Sequence, residues 1–266
     1  MSANNRIQQL FSTTPVNLLS VFYTAGYPAL ADTVRIAGAL ESAGVDMIEI
    51  GIPFSDPVAD GPVIQESNHV ALENGMNLHL LLDQVREIRK TVKVPIVLMG
   101  YLNPILQYDV ENFCRDAAAA GVDGLILPDM PLEEYEMEYK AIVQSQGLCN
   151  TFLISPTTSV DRIRHIDALT DGFIYAVSSS STTGARGSFS EEQVAYFERL
   201  KAMKLTNPFL IGFGISNAAT FSVAGSYGAG AIVGSAFISM LKDAGDIPSG
   251  VRQFVSQIKQ GSSPVV

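Results

Sequence analysis

Short apolar segments alternate with amphipathic segments along almost the whole chain. The apolar runs, such as NLLSVFYTA (17–25) and VDMIEIG (45–51), are rich in β-branched and aromatic residues and have the length of strands. The segments between them repeat at helical spacing: in NLHLLLDQVREIRKTV (77–92), apolar residues at i, i+3, i+4 and i+7 from Leu78 share one face. The pattern predicts eight successive strand–helix units.

Eight such units in 266 residues are typical of a closed (β/α)8 TIM barrel. We therefore expect residues 1–266 to form a single barrel domain. The segment NRIQQLFS (5–12) predicts an extra N-terminal helix on the barrel floor, and a short extra helix is expected after strand eight. An open doubly wound sheet is the alternative, but such sheets usually stop at about five or six strands.

Composition narrows the classes of function. Hydrophobic residues make up 47% of the chain and charged residues 17%, and the net charge of -10 disfavours nucleic acid as the main partner. No run is long enough to span a membrane, and the first residues lack a signal-peptide pattern. We expect a cytoplasmic protein without nucleic-acid or membrane partners, whose Cys114 and Cys149 remain reduced.

Glu49 is a carboxylate inside an apolar strand, at the C-terminal end of strand two. Side chains alternate along a strand, so Glu49 shares a face with Met47, while Ile48 and Ile50 point the other way. Because active sites of such barrels lie at this end, Glu49 is predicted to point into the mouth, where burial would raise its pKa and suit proton transfer. A buried glutamate paired with a cation is the alternative, although no Lys or Arg lies between Leu40 and Val85.

The segment PFSDPVADGPVIQ (53–65) follows this strand and carries Asp56 and Asp60. We predict a functional loop here, because 51–77 is too long for a simple strand–helix connection. Asp60 is expected to reach over the barrel mouth, where two carboxylates of different exposure can hold different protonation states. Asp and Pro also favour turns for local reasons, which is the interpretation we prefer for Asp56.

Glycine-bearing segments follow each of the last three predicted strands: TTGARG, GFGIS and GSAF. Gly184, Gly214 and Gly234 would let main-chain amides approach an anion closely. Ser235 is predicted to cap a helix that begins at Ala236, with the positive end of the helix facing the same anion. Each glycine alone indicates only a turn, but their joint placement favours a phosphate site and a small phosphorylated substrate.

Neither a metal site nor a Schiff base is expected. The histidines His69, His79 and His165 are scattered, and no lysine occupies an obvious strand end.

Several segments together resemble the tryptophan synthase alpha subunit family: FYTAGYP, IEIGIPFSDPVADGPVIQ, PIVLMGYLNPI, GLILPDMP, and GFGIS followed by GSA. The resemblance runs from about Ile7 to Ile258. It implies a lyase of tryptophan biosynthesis that cleaves indole-3-glycerol phosphate to indole and glyceraldehyde 3-phosphate by a retro-aldol reaction. It also implies that the chain needs no cofactor of its own.

The resemblance assigns roles to individual residues. Glu49 is implied to be the general acid and base, Asp60 to bond the indole N–H, and Tyr175 to orient Glu49 and the substrate. Other residues are implied to bind substrate: the apolar walls Phe22, Leu127 and Leu153, the lid residue Thr183 beside Asp60, and the phosphate-binding Gly184, Gly214, Gly234 and Ser235. For each apolar wall residue, plain barrel core is the alternative.

The resemblance also implies a partner. Family members associate with a beta subunit, here expected as an α2β2 heterotetramer, whose pyridoxal phosphate joins serine to indole delivered through a tunnel. The loop around Asp56 and the segment YLNPI (101–105) resemble the surfaces that meet this partner.

The sequence departs from the family pattern in two places. Residues 178–183 read SSSSTT, where the family has an arginine and a glycine in its mobile lid, so we expect altered lid flexibility and charge. Asp109 stands where the family has glycine, a mild change because Asp tolerates left-handed geometry. The favoured hypothesis is an active lyase; the alternatives are a non-catalytic barrel that activates the beta subunit, and another phosphate-binding barrel enzyme such as an isomerase.

Overall fold

The computed structural model describes residues 5–14, 16–178 and 188–260, and within them it has nine strands in one parallel sheet. The strands are β1 (Leu18–Thr24), β2 (Met47–Gly51), β3 (Ile96–Met99), β4 (Gly124–Ile126), β5 (Cys149–Thr151), β6 (Leu153–Ile154), β7 (Ile174–Val177), β8 (Phe209–Gly212) and β9 (Gly230–Val233).

Helices precede, connect and follow these strands. They are α1 (Arg6–Thr13), α2 (Asp32–Ser42), α3 (Pro62–Glu73), α4 (Leu78–Ile88), α5 (Leu102–Tyr108), α6 (Val110–Ala120), α7 (Leu132–Glu134), α8 (Lys140–Ser145), α9 (Val160–Leu169), α10 (Glu191–Ala202), α11 (Ala218–Tyr227), α12 (Ser235–Asp243) and α13 (Ile247–Lys259). A π-helical turn, Tyr135–Tyr139, joins α7 to α8. Among the described residues, none of the helices combines the length and the apolar character that a membrane crossing needs.

The sheet closes on itself in chain order, which confirms the predicted TIM barrel. β1 pairs with both β2 and β9, and every ladder is parallel. The predicted fifth strand (148–155) is interrupted at Phe152: β5 pairs with β4, and β6 pairs with β7. β5 and β6 together occupy one strand position of the barrel, so the nine strands correspond to the eight strands of a TIM barrel.

Side-chain alternation separates an inner core from an outer one. Ile48 and Ile50 pack between the sheet and its helices, as the strand pattern predicts. The inner cluster fills the barrel with one side chain from most strands: Ile7, Leu18, Met47, Val97, Ile126, Cys149, Phe173, Tyr175, Leu210, Ala229 and Ile232. Burying this set stabilises the closed sheet.

The predicted N-terminal helix closes the barrel floor. Asn5 caps α1, and its side-chain amide donates to the carbonyls of Asp123 and Gly147 at 2.7 and 2.8 Å. Ile7 is fully buried in the inner cluster, and the rings of Phe11 and Phe173 lie 5.7 Å apart. The open end of the barrel is therefore the opposite one, where the strands terminate.

The structure corrects the prediction of one long loop over 51–77, because α3 occupies most of its second half. The buried residues of α3 are Ser67, Asn68 and Ala71, which are small or polar, so the helix lacks the apolar stripe that reveals α4. Ser67 lies 2.7 Å from the Thr24 hydroxyl, and the Asn68 side chain accepts from Phe54 N–H at 3.2 Å. The first contact holds α3 against β1, and the second holds the shortened loop against α3.

Candidate active site

The strand ends and the loops after them enclose two adjoining cavities. The main cavity has about 760 Å³ of empty space, including space open to solvent. It is lined by Phe22, Asp60, Gly61, Ile64, Met99, Tyr175, Phe213, Gly214, Ile215, Ile232, Gly234, Ser235 and Ala236. The side cavity is lined by Phe22, Gly51, Ile52, Ala59, Asp60, Ile64, Asn68, Met99, Gly100, Tyr101, Pro128, Leu153 and Phe213.

Glu49 lies inside the barrel, directly beneath this mouth. On β2 it precedes Gly51, which lines the side cavity, by two residues, and it therefore shares the inward face one position deeper. Its partner in the β1 ladder is Phe22, a wall of both cavities. The Ser20 hydroxyl donates to Glu49 Oε1 at 2.7 Å, and Oε2 is buried with no hydrogen-bond partner in the described part of the chain.

The environment of Glu49 keeps a proton within reach at neutral pH. Its side chain is 0% exposed, and burial raises the pKa of Glu49 to about 7, against a smaller lowering by the Ser20 hydroxyl. None of the ion pairs among the described residues includes Glu49. Within the described residues, Glu49 is therefore not a structural glutamate paired with a cation, which was the alternative interpretation.

Asp60 reaches the mouth from the loop before α3 and lines both cavities. The Tyr101 hydroxyl donates to Asp60 Oδ2 at 3.1 Å and accepts from Ala59 N–H at 3.0 Å, which ties the loop to the end of β3. Burial raises the pKa of Asp60, and the Tyr101 hydrogen bond lowers it. The Asp60 oxygen Oδ2 is therefore held by a hydrogen-bond donor, whereas Glu49 Oε2 has no donor among the described residues.

Tyr175 stands across the barrel from β2, between Leu153 and Leu210 in the ladders of β7. Its ring occupies the space beside Gly212, where a Cβ would lie 2.3 Å from the phenol oxygen. Burial raises the pKa of Tyr175 well above its usual value, and the charges of Glu49 and Asp60 raise it further. Tyr175 is therefore a neutral hydroxyl close to both carboxylates.

The three predicted apolar walls have different positions. Phe22 lies against Gly51, where a Cβ would come within 2.6 Å of its ring, and it lines both cavities. Leu153 lines the side cavity. Leu127 packs in the outer core instead and is absent from the linings of both cavities.

The glycine-rich side of the main cavity presents main-chain groups. Phe213 and Gly214 both have positive φ, at 66° and 76°, so the turn after β8 exposes its backbone. α12 begins at Ser235 with Gly234 as its N-cap and no side-chain cap, so the prediction that Ser235 caps a helix from Ala236 was wrong. Ser235 and Ala236 line the cavity, and their amides, in the first turn of α12, have no acceptor within the helix, as an anion site requires.

The other predicted residues of this side, Thr183 and Gly184, lie outside the described residues. The segment before them is anchored: Ser178 Oγ donates to the Phe213 carbonyl at 2.7 Å, and Gln193 Nε2 donates to the Ser178 carbonyl at 3.1 Å. These bonds connect the end of β7 with the backbone that forms the cavity wall.

Sequence reasoning missed Ser20, Tyr101 and Phe213 as parts of this site. Ser20 had a local signal, because it is a hydroxyl between Leu18 and Phe22 on the inward face of a buried strand. Phe213 directly follows the end of β8 and Tyr101 lies two residues after the end of β3, but the sequence does not show which loop they contact. Within the described residues, no group of three or more His, Cys, Asp or Glu could hold a metal ion.

Comparison with known proteins gives one consistent family. Residues 11–262 match the family model described as tryptophan synthase alpha chain. A curated tryptophan synthase alpha chain from Parabacteroides distasonis is 54% identical over 256 residues, 96% of this chain and 100% of the relative. The one from Flavobacterium psychrophilum is 54% identical over 254 residues, 96% of this chain and 99% of the relative.

Solved structures show the same fold. A chain of Mycobacterium tuberculosis tryptophan synthase superposes with a TM-score of 0.88 at 31% identity, covering 97% of this chain and 98% of that chain. The tryptophan synthase alpha chain of Legionella pneumophila gives a TM-score of 0.88 at 35% identity, covering 97% of both chains.

Proposed function

Because this chain belongs to the tryptophan synthase alpha chain family, we propose that Glu49 and Asp60 at its barrel mouth carry out the family's reaction. The chain is a lyase of tryptophan biosynthesis that cleaves indole-3-glycerol phosphate to indole and glyceraldehyde 3-phosphate. The observation that carries the residue assignment is the fully buried Glu49, with a pKa of about 7, under a cavity that is lined by Asp60 and by the first residues of α12.

The reaction needs one group that can both give and take a proton. Glu49 gives its proton to the indole ring carbon that bears the glycerol side chain. The neighbouring side-chain hydroxyl then loses its proton, the carbon–carbon bond breaks, and the bonding electron pair returns to the ring. Glu49 recovers the hydroxyl proton, so protons balance over the cycle. A pKa of about 7 suits both directions of transfer at neutral pH.

Asp60 stabilises the charge that this step creates. Protonation of the ring carbon leaves positive charge at the indole nitrogen, and a carboxylate at the N–H stabilises that state more than the neutral ring. Tyr101 supports the role, since its hydroxyl donates to Oδ2 and leaves the other oxygen, Oδ1, for the substrate. Tyr175, neutral and near both carboxylates, orients Glu49 and the substrate.

The remaining predicted residues bind the two ends of the substrate. Phe22 and Leu153 contact the indole ring, with Leu127 supporting them from the outer core. Gly214, Gly234 and Ser235 offer main-chain amides to the phosphate. Thr183 and Gly184 complete the lid and the phosphate site in this proposal.

Members of this family work with a beta subunit, and we infer an α2β2 assembly in the cytoplasm. The inferred surface joins the loop around Asp56 to α5, which the Ala59–Tyr101 hydrogen bond holds together. Both segments expose apolar side chains, with Val58 86% and Leu106 45% exposed. The proton transfers proposed here use side chains of this chain alone, and pyridoxal phosphate belongs to the beta subunit's own reaction.

The function is tested by measuring indole release from indole-3-glycerol phosphate by the purified chain, with and without its beta subunit. We expect release by the chain alone and faster release in the complex. If the chain were a non-catalytic activator, it would release no indole by itself, but it would stimulate the reaction of the beta subunit with added indole and serine. That second result would refute the assignment of Glu49 and Asp60.

A further inference from the structure

The two oxygens of the Glu49 carboxyl group have different surroundings. Oε1 accepts the Ser20 hydroxyl at 2.7 Å, while Oε2 has no partner in the part of the chain that the structure describes. Ser20 and Glu49 are both fully buried, so water does not compete for this bond. A buried carboxylate oxygen without a donor lowers the stability of the fold, so its presence calls for a functional explanation.

The barrel itself places Ser20 beside Glu49. On β1, Ser20 is paired with Met47 and Phe22 is paired with Glu49, so Ser20 and Glu49 are diagonal neighbours on the inward face. Both backbones are held in the parallel ladder, and serine has a short side chain with few rotamers. The hydroxyl can therefore hold the carboxyl group in one orientation at little entropic cost.

We propose that Ser20 is a positioning residue, which fixes the Glu49 carboxyl group through Oε1 and leaves Oε2 as the oxygen that exchanges the proton with the substrate. This inference rests on the proposed acid–base role of Glu49. It adds which oxygen reacts and which side chain orients it.

Ser20 also affects the balance between the two protonation states of Glu49. Its hydroxyl donates to the ionised form, which lowers the pKa of Glu49 against the larger effect of burial. Among the described residues, the titratable groups in this part of the mouth are Tyr175 on β7, whose pKa the charge of Glu49 raises, and Asp60 on the loop before α3, whose charge also raises the pKa of Tyr175. On the β3 side, the ladder partner Val97 and the next inward residue Met99 are apolar. Loss of the hydroxyl should therefore raise the pKa of Glu49.

The test compares Ser20→Ala and Ser20→Thr in the full chain, with indole-3-glycerol phosphate as substrate. For Ser20→Ala we expect kcat to fall about tenfold with KM within about twofold, because the reacting group is misoriented while the binding contacts remain. The limb of the pH profile of kcat/KM that reports Glu49 should move to higher pH. Ser20→Thr keeps the hydroxyl and should recover most of kcat and the original limb.

Thr170→Val is the matched control, since it removes a buried hydroxyl whose hydrogen bond in the described part of the chain is to its own helix, to Ile166 O at 2.8 Å. It should leave both the rate and the pH profile unchanged. An infrared difference titration of the Glu49 carboxyl band, with Glu49→Gln as the blank, gives the pKa without any turnover.

The outcomes separate this inference from the proposed function. Wild-type kcat and an unmoved carboxyl titration in Ser20→Ala would refute the positioning role while Glu49 stays catalytic. A Ser20→Ala variant with raised KM and unchanged kcat would also contradict it, because the hydroxyl would then support binding only. No indole release by the wild-type chain would instead remove the proposed function itself.

Discussion

Single residues at the mouth show how the same functional group is given two different properties. Glu49 and Asp60 are both carboxylic acids whose pKa is raised by burial, but of the two only Glu49 is enclosed completely, with a buried oxygen that has no hydrogen-bond partner in the described structure. Asp60 is held by Tyr101 and remains in contact with the cavity. Glu49 is suited to exchange a proton, and Asp60 to stay charged.

Glu49→Gln tests this difference in two ways. The amide keeps the size of the side chain but cannot transfer a proton, so turnover should fall by about 10² or more, measured as indole release. Near-wild-type turnover would contradict the acid–base role.

The same variant should be more stable than the wild type at high pH. The pKa of Glu49 rises from 4.5 to about 7 on folding, so the folded protein holds the extra proton between these values and loses stability as pH rises through them. Glutamine does not titrate, so the free energy of unfolding of Glu49→Gln should exceed that of the wild type by up to about 3 kcal/mol above pH 7, and this pH-dependent gain should vanish near pH 4. Urea unfolding at both pH values measures it, and an equal difference at both would contradict the burial argument.

At the scale of elements, two helices begin where the substrate is expected. α3 starts directly after Asp60 and Gly61, and α12 starts at the glycine-rich side of the same cavity. The two helices pack together, and Lys242 on α12 lies 2.7 Å from Glu66 on α3. The loop that carries Asp60, which leads into α3, and the first turn of α12 are thus parts of one packed unit.

Gly234→Asp tests the anion site at the start of α12. A Cβ at this position would lie 3.4 Å from the Phe22 ring, an ordinary van der Waals contact, so the side chain is accommodated and places a negative charge beside the amides. Affinity for glyceraldehyde 3-phosphate should fall about 100-fold, the loss of one or two charge-assisted hydrogen bonds. Binding of indole, which has no phosphate, should change much less.

Gly245→Asp provides the control for that experiment. Gly245 is exposed just after α12, with nothing within 4 Å of a Cβ, so the same charge is added away from the cavity. Calorimetric titration should give wild-type affinity for both ligands. Equal losses in the two variants would mean that net charge, and not the Gly234 site, controls binding.

At the scale of the whole molecule, the closed sheet depends on an ion-pair network at its floor. Asp123, which directly precedes β4, accepts from Arg6 at 2.9 Å and from Ile96 N–H at 2.8 Å, and it also pairs with Arg89, whose side chain is 9% exposed. Arg89 in turn donates to the carbonyls of Gly121 and Val94 at 2.6 Å. The network joins α1, α4 and the strand starts, and we infer that residues 1–266 fold as one domain around it.

Asp123→Asn should therefore destabilise the entire barrel. Removing one partner leaves the Arg89 charge buried without its carboxylate, a change that costs about 3–5 kcal/mol. Asp83→Asn breaks an exposed pair with Arg86 and should cost less than about 1 kcal/mol. Urea denaturation of both variants measures the difference, and equal free energies of unfolding would show that the floor network is not structural.

The sequence by itself determined the features that arise from local periodicity. Alternation along β2 places Glu49 inside and Ile48 outside, because successive side chains of any strand point to opposite faces. Helical spacing located α4 and the repeat of eight units, since an apolar stripe is needed to pack each helix on the sheet. The sequence pattern did not predict α3, because the buried face of this helix is made of small and polar residues.

Only the tertiary structure decided which distant groups meet. Ser20 contacts Glu49 across 29 positions of sequence and Tyr101 contacts Asp60 across 41, and both distances depend on strand register and barrel closure. The split of the fifth strand at Phe152 and the start of α12 at Ser235 depend on the same closure. Local propensity sets the direction of each side chain, whereas the partner it reaches is fixed only when the sheet has closed.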